Sequence, residues 1–402
     1  MGDEKLSSDT SDKLSIAGKL HFFVIFLSVL MAMLDRGSLY RFFAYLNLVV
    51  VLVFFIKNYK ELNYFRDRKL LYIFFIPFAF IALHLFAVLN LNYTKEFQRI
   101  ILVTFTVVGL WMQAKINVEF IKENIFKLSL LTLFLYVLAQ IVAIWYLKRP
   151  FGTTSNPHFL AFYSASCLLF TVFAFIKISS SRRWLLLLPF VFLAYFVLLS
   201  SSRPTWIGLI SSGFLVITFT NHKAKKHLAL LMILVLSILF LTNVANFSGR
   251  FVELIMHINK EERTFIWQDA WRMQMDSSIS QWIFGHGFHV FVNEFKLYSQ
   301  YHMQGIDFKT PHNFILEILY TSGVVGMTLA TVLLCYIYKK ILLMIKTSID
   351  YKDFALLLLA LLTTNLIAVG ITESFYSGFN LTMIAIVSSV FFFIHESNSR
   401  PS

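Results

Sequence analysis

Four side chains in this sequence have the type and placement to do chemistry: Arg99, Arg203, Arg263 and His312. Arg99, Arg203 and His312 stand at the ends of long apolar runs and Arg263 in the long loop between two of them, all on the face opposite the lysine-rich loops. Charged groups there are costly to keep and are functional candidates by default. Arg203 lies in Ser200-Ser201-Ser202-Arg203-Pro204-Thr205-Trp206. A guanidinium fork matches phosphate oxygens two at a time. Free N–H groups at Thr205 and Trp206, opening a helix, are expected to add to an anion site. The plainer alternative is an anchor whose head reaches the membrane interface. Arg263, in Glu261-Glu262-Arg263-Thr264-Phe265-Ile266-Trp267, reads by itself as a solvated helix-end charge beside a glutamate. Arg99, after Lys95 and Glu96, reads by itself as an anchor. His312 lies in Thr310-Pro311-His312-Asn313-Phe314. An imidazole takes a proton near neutral pH, so it can serve as a general base. His286, between Gly285 and Gly287, reads as part of a turn rather than a catalyst.

The elements that must position these groups follow from composition. Of 402 residues, 58% are hydrophobic and 14% charged, with a mean hydropathy of +0.70. A soluble domain carries about 25% charged residues, so soluble, disordered and fibrous classes are excluded. The apolar residues run unbroken rather than alternating, which excludes a transmembrane barrel. The expected fold is an all-α polytopic membrane protein. The formal charge of +13 fits cytoplasmic-loop bias and anionic lipid, so no nucleic acid partner is expected. Cys167 and Cys335 both sit in apolar runs and give neither a disulfide framework nor metal-ligand spacing.

A spanning helix needs about 20 mainly apolar residues. Twelve spans are predicted: 17–34, 42–56, 70–90, 100–114, 124–147, 158–176, 184–200, 205–220, 228–245, 312–338, 354–371 and 380–394. The polar start has no signal-peptide pattern, so 1–16 is read as a cytoplasmic tail, as is 395–402. Lysines and arginines crowd the loops 57–69, 115–123, 177–183, 221–227 and 339–353, which puts both termini in the cytoplasm. Residues 246–311 then form one long periplasmic loop, which should carry its own short helices. Glu262 to Met275 reads as a helix with Phe265, Trp267, Ala270, Trp271 and Met275 as its apolar residues. Its two tryptophans share a face suited to the membrane interface. Ser278 should cap a second helix through Phe284, stopped by Gly285-His286-Gly287.

No phosphate-binding loop, H-E-x-x-H, G-x-S-x-G or Asp-x-Asp pair is present. A transferase built here is therefore expected to need no metal and no cofactor, and to use a lipid-linked donor.

The order of motifs resembles the O-antigen ligase and polymerase superfamily. It comprises Ser202-Arg203-x-x-Trp206 at a short outer turn, a long outer loop with an arginine-bearing helix, Gly285-x-Gly287-Phe288, then Pro311-His312-Asn313-Phe314-Ile315-Leu316-Glu317 running on to Gly326. Upstream, Gly152-Thr153-Thr154-Ser155-Asn156-Pro157-His158-Phe159-Leu160 is similar to that family's Gly-x-x-x-Asn-x-Asn-x-x-Ala loop. The resemblance implies a GT-C-like membrane glycosyltransferase. Its members move a glycan from undecaprenyl diphosphate to an acceptor at the periplasmic face of the inner membrane. In a ligase the acceptor is lipid A-core; in a polymerase it is another lipid-linked repeat. It further implies that Arg203 and Arg263 hold the diphosphate and that His312 is the essential histidine. Arg99, Asn313 and Trp267 are expected to bind substrate beside them. Many ligases have a second histidine where this chain has Thr310. The single large outer loop favours the ligase over the polymerase. A twelve-span secondary transporter is the alternative from another class, disfavoured because no paired repeats or broken helices are read here.

Overall fold

The computed structural model describes residues 3–34, 37–58, 94–116, 118–154, 156–220, 262–288, 290–299, 308–347 and 351–372, with scattered single positions between and after them. Among the described residues every regular element is a helix. They are α1 (Asp3–Met33), α2 (Gly37–Asn58), α3 (Thr94–Ile116), α4 (Val118–Ile141), α5 (Pro157–Lys177), α6 (Leu187–Leu199) and α7 (Arg203–Phe219). After these come α8 (Glu262–Met275), α9 (Ile279–Phe284), α10 (Val290–Tyr298), α11 (Phe314–Thr347) and α12 (Lys352–Thr372). A π turn, Val142–Tyr146, extends α4, and a 3₁₀ turn, Ser181–Leu186, leads into α6.

Five stretches are long and apolar enough to cross a membrane: Glu123–Tyr146, Pro157–Lys177, Ser181–Leu199, Phe314–Thr347 and Lys352–Gly370. Large apolar side chains such as Leu131, Leu138, Leu188, Val191 and Val332 lie exposed along them. Water does not tolerate such stripes over whole helices, whereas lipid does. This is an all-helical membrane protein. The expected spans 17–34, 42–56 and 100–114 fall on shorter apolar stretches, Gly18–Met33, Ser38–Phe54 and Phe97–Gln113. The span 205–220 falls on α7, which has 17 residues. Most of the spans 70–90, 228–245 and 380–394 lies outside the described residues.

The chain divides into two compact units. The first contains 1–77, 98–153 and 381–402. There Phe22, Ile25, Val51, Val108, Trp111, Met112 and Ile121 bring α1 to α4 into one core. A polar chain crosses it. Gln113 Nε2 stands 2.8 Å from His21 Nδ1, and His21 Nε2 stands 2.7 Å from Asn47 Oδ1. Hydrogen bonds of this kind join helices where no water can.

The second unit contains 78–97 and 154–380. Its centre is α12, against which α5, α7 and α11 pack. Small residues allow the close approach: a Cβ on Gly208 would meet the Thr364 carbonyl oxygen at 2.7 Å. Asn365 Nδ2 donates to Ser166 Oγ at 3.1 Å, tying α12 to α5.

Helix α11 is not continuous. Gly323 has φ 64° and ψ −169°, which breaks the hydrogen-bond ladder. The freed carbonyls of Tyr320 and Thr321 accept from the N–H groups of His286 (2.8 Å) and Gly287 (2.9 Å). The segment after α9 is thus stitched into the break, with Gly285 at φ 83°. A break at membrane depth is tolerated when other backbone satisfies the groups it frees. The break in α11 corrects the expectation that no spanning helix is broken, because backbone after α9 satisfies the groups it frees. It is one break, and no matching one occurs in another spanning helix among the described residues.

Candidate active site

Helices α5, α7 and α11 begin, and α12 ends, around the candidate residues of the second unit. Their N-termini carry partial positive charge, which favours a bound anion.

His312 sits just before α11, not within it as expected. Asn313 caps the helix, its Oδ1 accepting from Ile315 N (3.0 Å) and Leu316 N (3.2 Å). That side-chain oxygen, expected to meet substrate, is committed to the cap. His312 has φ 50°, a left-handed conformation. A non-glycine residue there costs about 1 kcal/mol or more and persists only when its surroundings enforce it. Two bonds do so. His312 Nδ1 lies 2.5 Å from the Thr372 carbonyl oxygen at the end of α12. Trp267 Nε1 donates to the His312 carbonyl at 3.3 Å. The segment after α12 is pinned in turn, with Ser374 Oγ 2.5 Å from the buried carboxylate of Glu317.

A carbonyl oxygen can only accept, so Nδ1 of His312 carries the proton. In the neutral ring Nε2 is then the lone-pair nitrogen. Burial lowers the imidazole pKa; the Thr372 bond opposes this, and the nearby Arg263 guanidinium lowers it further. His312 is therefore held neutral, with Nε2 able to take a proton.

Arg263 opens α8 and is half-buried. It lies near enough to His312 for its charge to disfavour a protonated ring there. The buried face of α8 is Ile266, Asp269, Ala270, Met273 and Gln274. Of the apolar residues expected on α8, Trp271 and Met275 are exposed. Packing follows the 266, 270, 273 stripe against Phe291, Phe295 and Tyr320. Trp267 joins the edge of this core and holds His312, while Trp271 stacks edge-on with Trp282.

Arg203 is the first residue of α7, after Ser201 at φ 52°. The expectation of free N–H groups is corrected here. Thr205 N and Trp206 N both donate to the Ser202 carbonyl, at 3.1 and 3.2 Å. An anion at this turn would be held by the guanidinium and the helix dipole rather than by those amides. Arg99, half-buried on α3, belongs to the first unit and is not among the groups gathered in the second.

His158, which no sequence motif marks for a role, also lies in the second unit. Asn156 caps α5, its Oδ1 accepting from His158 N at 2.8 Å. His158 Nδ1 lies 3.0 Å from Ser202 Oγ, next to Arg203. The charges of Arg263 and His312 both bear on it. It occupies the place of the second asparagine in the similar loop pattern.

His286 sits in the turn expected of it. It stacks on Tyr320 at 4.1 Å, with Nε2 2.7 Å from Ser277 Oγ. Its Nδ1 is 3.2 Å from Glu294 Oε2 but out of line for a hydrogen bond. Tyr320 also donates to Glu294. The group clasps α8, α10 and α11 together. Among the described residues no group of three or more His, Cys, Asp or Glu could hold a metal ion.

The second unit thus holds two half-buried arginines, a histidine whose Nδ1 meets a carbonyl, and several helix N-termini, an arrangement suited to an anionic ligand. Residues 188–331, from α6 into α11, match the family model described as O-antigen ligase. The match includes Arg203, Arg263 and His312, and it supports the O-antigen ligase superfamily. That family consists of glycosyltransferase-like membrane enzymes using lipid-linked substrates. No curated protein matches the chain.

Proposed function

We propose that the protein is an O-antigen ligase of the bacterial inner membrane. It transfers a glycan from undecaprenyl diphosphate to lipid A-core at the periplasmic face, without metal or cofactor. One observation carries this reading: His312 is fixed with Nδ1 on the Thr372 carbonyl, close enough to Arg263 for charge to be felt. A base and a phosphate-type cation then share one site inside the family match.

The chemistry is a displacement at the anomeric carbon. The acceptor hydroxyl gives its proton to His312 Nε2 as its oxygen bonds to that carbon. The glycosyl–phosphate bond breaks, and its electrons stay on the diphosphate. Arg203 and Arg263 stabilise the charge that grows there, an effect strongest away from water. A neutral base contributes about 10²–10⁴-fold. Direct displacement inverts the anomeric centre. Trp267 and Asn313 serve by placing His312 and the start of α11.

Deleting the gene and resolving the lipopolysaccharide on a gel tests the reading. Loss of the ligase leaves core without any repeat. Core bearing one repeat would instead identify a polymerase, and an unchanged ladder would reject both.

A further inference from the structure

His158 has no assigned role, yet it joins the two parts of the site. Its Nδ1 meets Ser202 Oγ at 3.0 Å, and Ser202 Oγ meets Thr205 Oγ1 at 3.0 Å. Among the described residues Thr205 Oγ1 has no other partner. If Thr205 donates to Ser202 and Ser202 to His158, each hydroxyl proton is used and the chain ends on an acceptor nitrogen. The reverse direction would strand the Thr205 proton beside a buried side chain, which is costly. Nδ1 of His158 is therefore the bare nitrogen, and Nε2 carries the N–H. This is the opposite tautomer to His312, whose Nδ1 donates to Thr372. One imidazole offers a lone pair and the other a proton to share, with Arg263 acting on both.

Resting on the transfer reading above, we propose that His158 is a second catalytic imidazole, whose Nε2–H hydrogen-bonds the departing diphosphate between Arg203 and Arg263. No proton is transferred: a diphosphate leaves as an anion, so a neutral donor suffices. The proton removed in the step goes from the acceptor hydroxyl to His312. Ser202 acts through His158 by fixing its tautomer. It is free for this, because as the residue before α7 it makes no side-chain cap bond.

The test uses the full-length protein in liposomes with undecaprenyl-diphosphate-linked glycan and lipid A-core. His158→Phe keeps the ring and removes the donor; it should lower kcat by about tenfold or more. His158→Gln places an amide N–H near the Nε2 position and should recover most of that loss. Ser202→Ala should lower kcat in the native background and have no further effect in His158→Phe. Inhibition by added undecaprenyl diphosphate should weaken with His158→Phe and return with His158→Gln. Wild-type turnover from His158→Phe overturns the proposal. So does a well-folded His158→Gln as impaired as His158→Phe, or a Ser202→Ala effect of the same size in both backgrounds. If His158→Phe does not insert, His158→Leu serves as the donor-free background in the same comparisons. A wild-type protein that inserts but leaves the lipid-linked donor intact overturns the transfer reading itself, and the role of His158 with it.

Discussion

The lone pair on His312 Nε2 exists because Nδ1 is occupied by a carbonyl that cannot donate. His312→Ala should therefore insert normally and lose transfer, scored as absent polysaccharide in a strain carrying only that variant. The neutral ring is the working form, and burial and Arg263 lower its pKa against the opposing Thr372 bond. Lowering the pKa widens the range in which the base is unprotonated. The acid limb of kcat/KM should thus lie below the ordinary histidine value of about 6.5, and an acid limb above it would contradict the site. Trp267 gives a second residue-scale prediction. Trp267→Phe keeps much of the packing but loses the bond to the His312 carbonyl. A typical bond of this kind is worth about 1 kcal/mol, so kcat should fall about fivefold with the donor KM little changed. A large rise in KM would make Trp267 a substrate contact instead. His158 escaped the sequence reading because its partners Ser202, Arg263 and His312 are distant in the chain, and only the fold brings them together.

At the scale of elements, the capping chemistry was legible and the packing was not. The Ser278 side chain and Gln281 form the capping box that opens α9, and Gly285 ends it, as the residue types required. The bounds of α8 followed from its pattern, but its buried face did not, because α10, which covers it, gave no signal that was read. Nor did Thr321-Ser322-Gly323 announce a break, since glycine is common in spanning helices. The break now supports a prediction. A Cβ on Gly285 would fall 2.4 Å from the Thr321 carbonyl oxygen, and one on Gly323 2.3 Å from the Ile283 carbonyl oxygen. Both residues also have positive φ. Gly285→Ala and Gly323→Ala should each lower the thermal midpoint of the purified protein and reduce transfer, whereas Gly249→Ala, outside these helices, should not reduce transfer. Unchanged melting would mean that the stitched break is not what holds α9 to α11.

For the whole molecule, hydropathy established the class, because apolar runs of spanning length have few alternatives. It could not show which helices enclose the site. The central place of α12 depends on small residues such as Gly208 meeting Thr364, a pairing invisible in hydropathy. The metal-free reading is tested at this scale: EDTA should leave turnover unchanged, and activity lost to chelation and restored by magnesium would reject it. The most direct test of the central claim compares three substitutions in the purified protein, assayed with undecaprenyl-diphosphate-linked glycan and lipid A-core at matched amounts in liposomes without an ion gradient. Lysine keeps the charge of arginine but not its planar two-point fork. Arg203→Lys and Arg263→Lys should each lower kcat by about 10²–10³, more than they weaken donor binding, while Arg149→Lys, at an exposed position after the π turn that extends α4, should match the wild type. If all three behave alike, the two arginines are anchors and the diphosphate site is not where we place it.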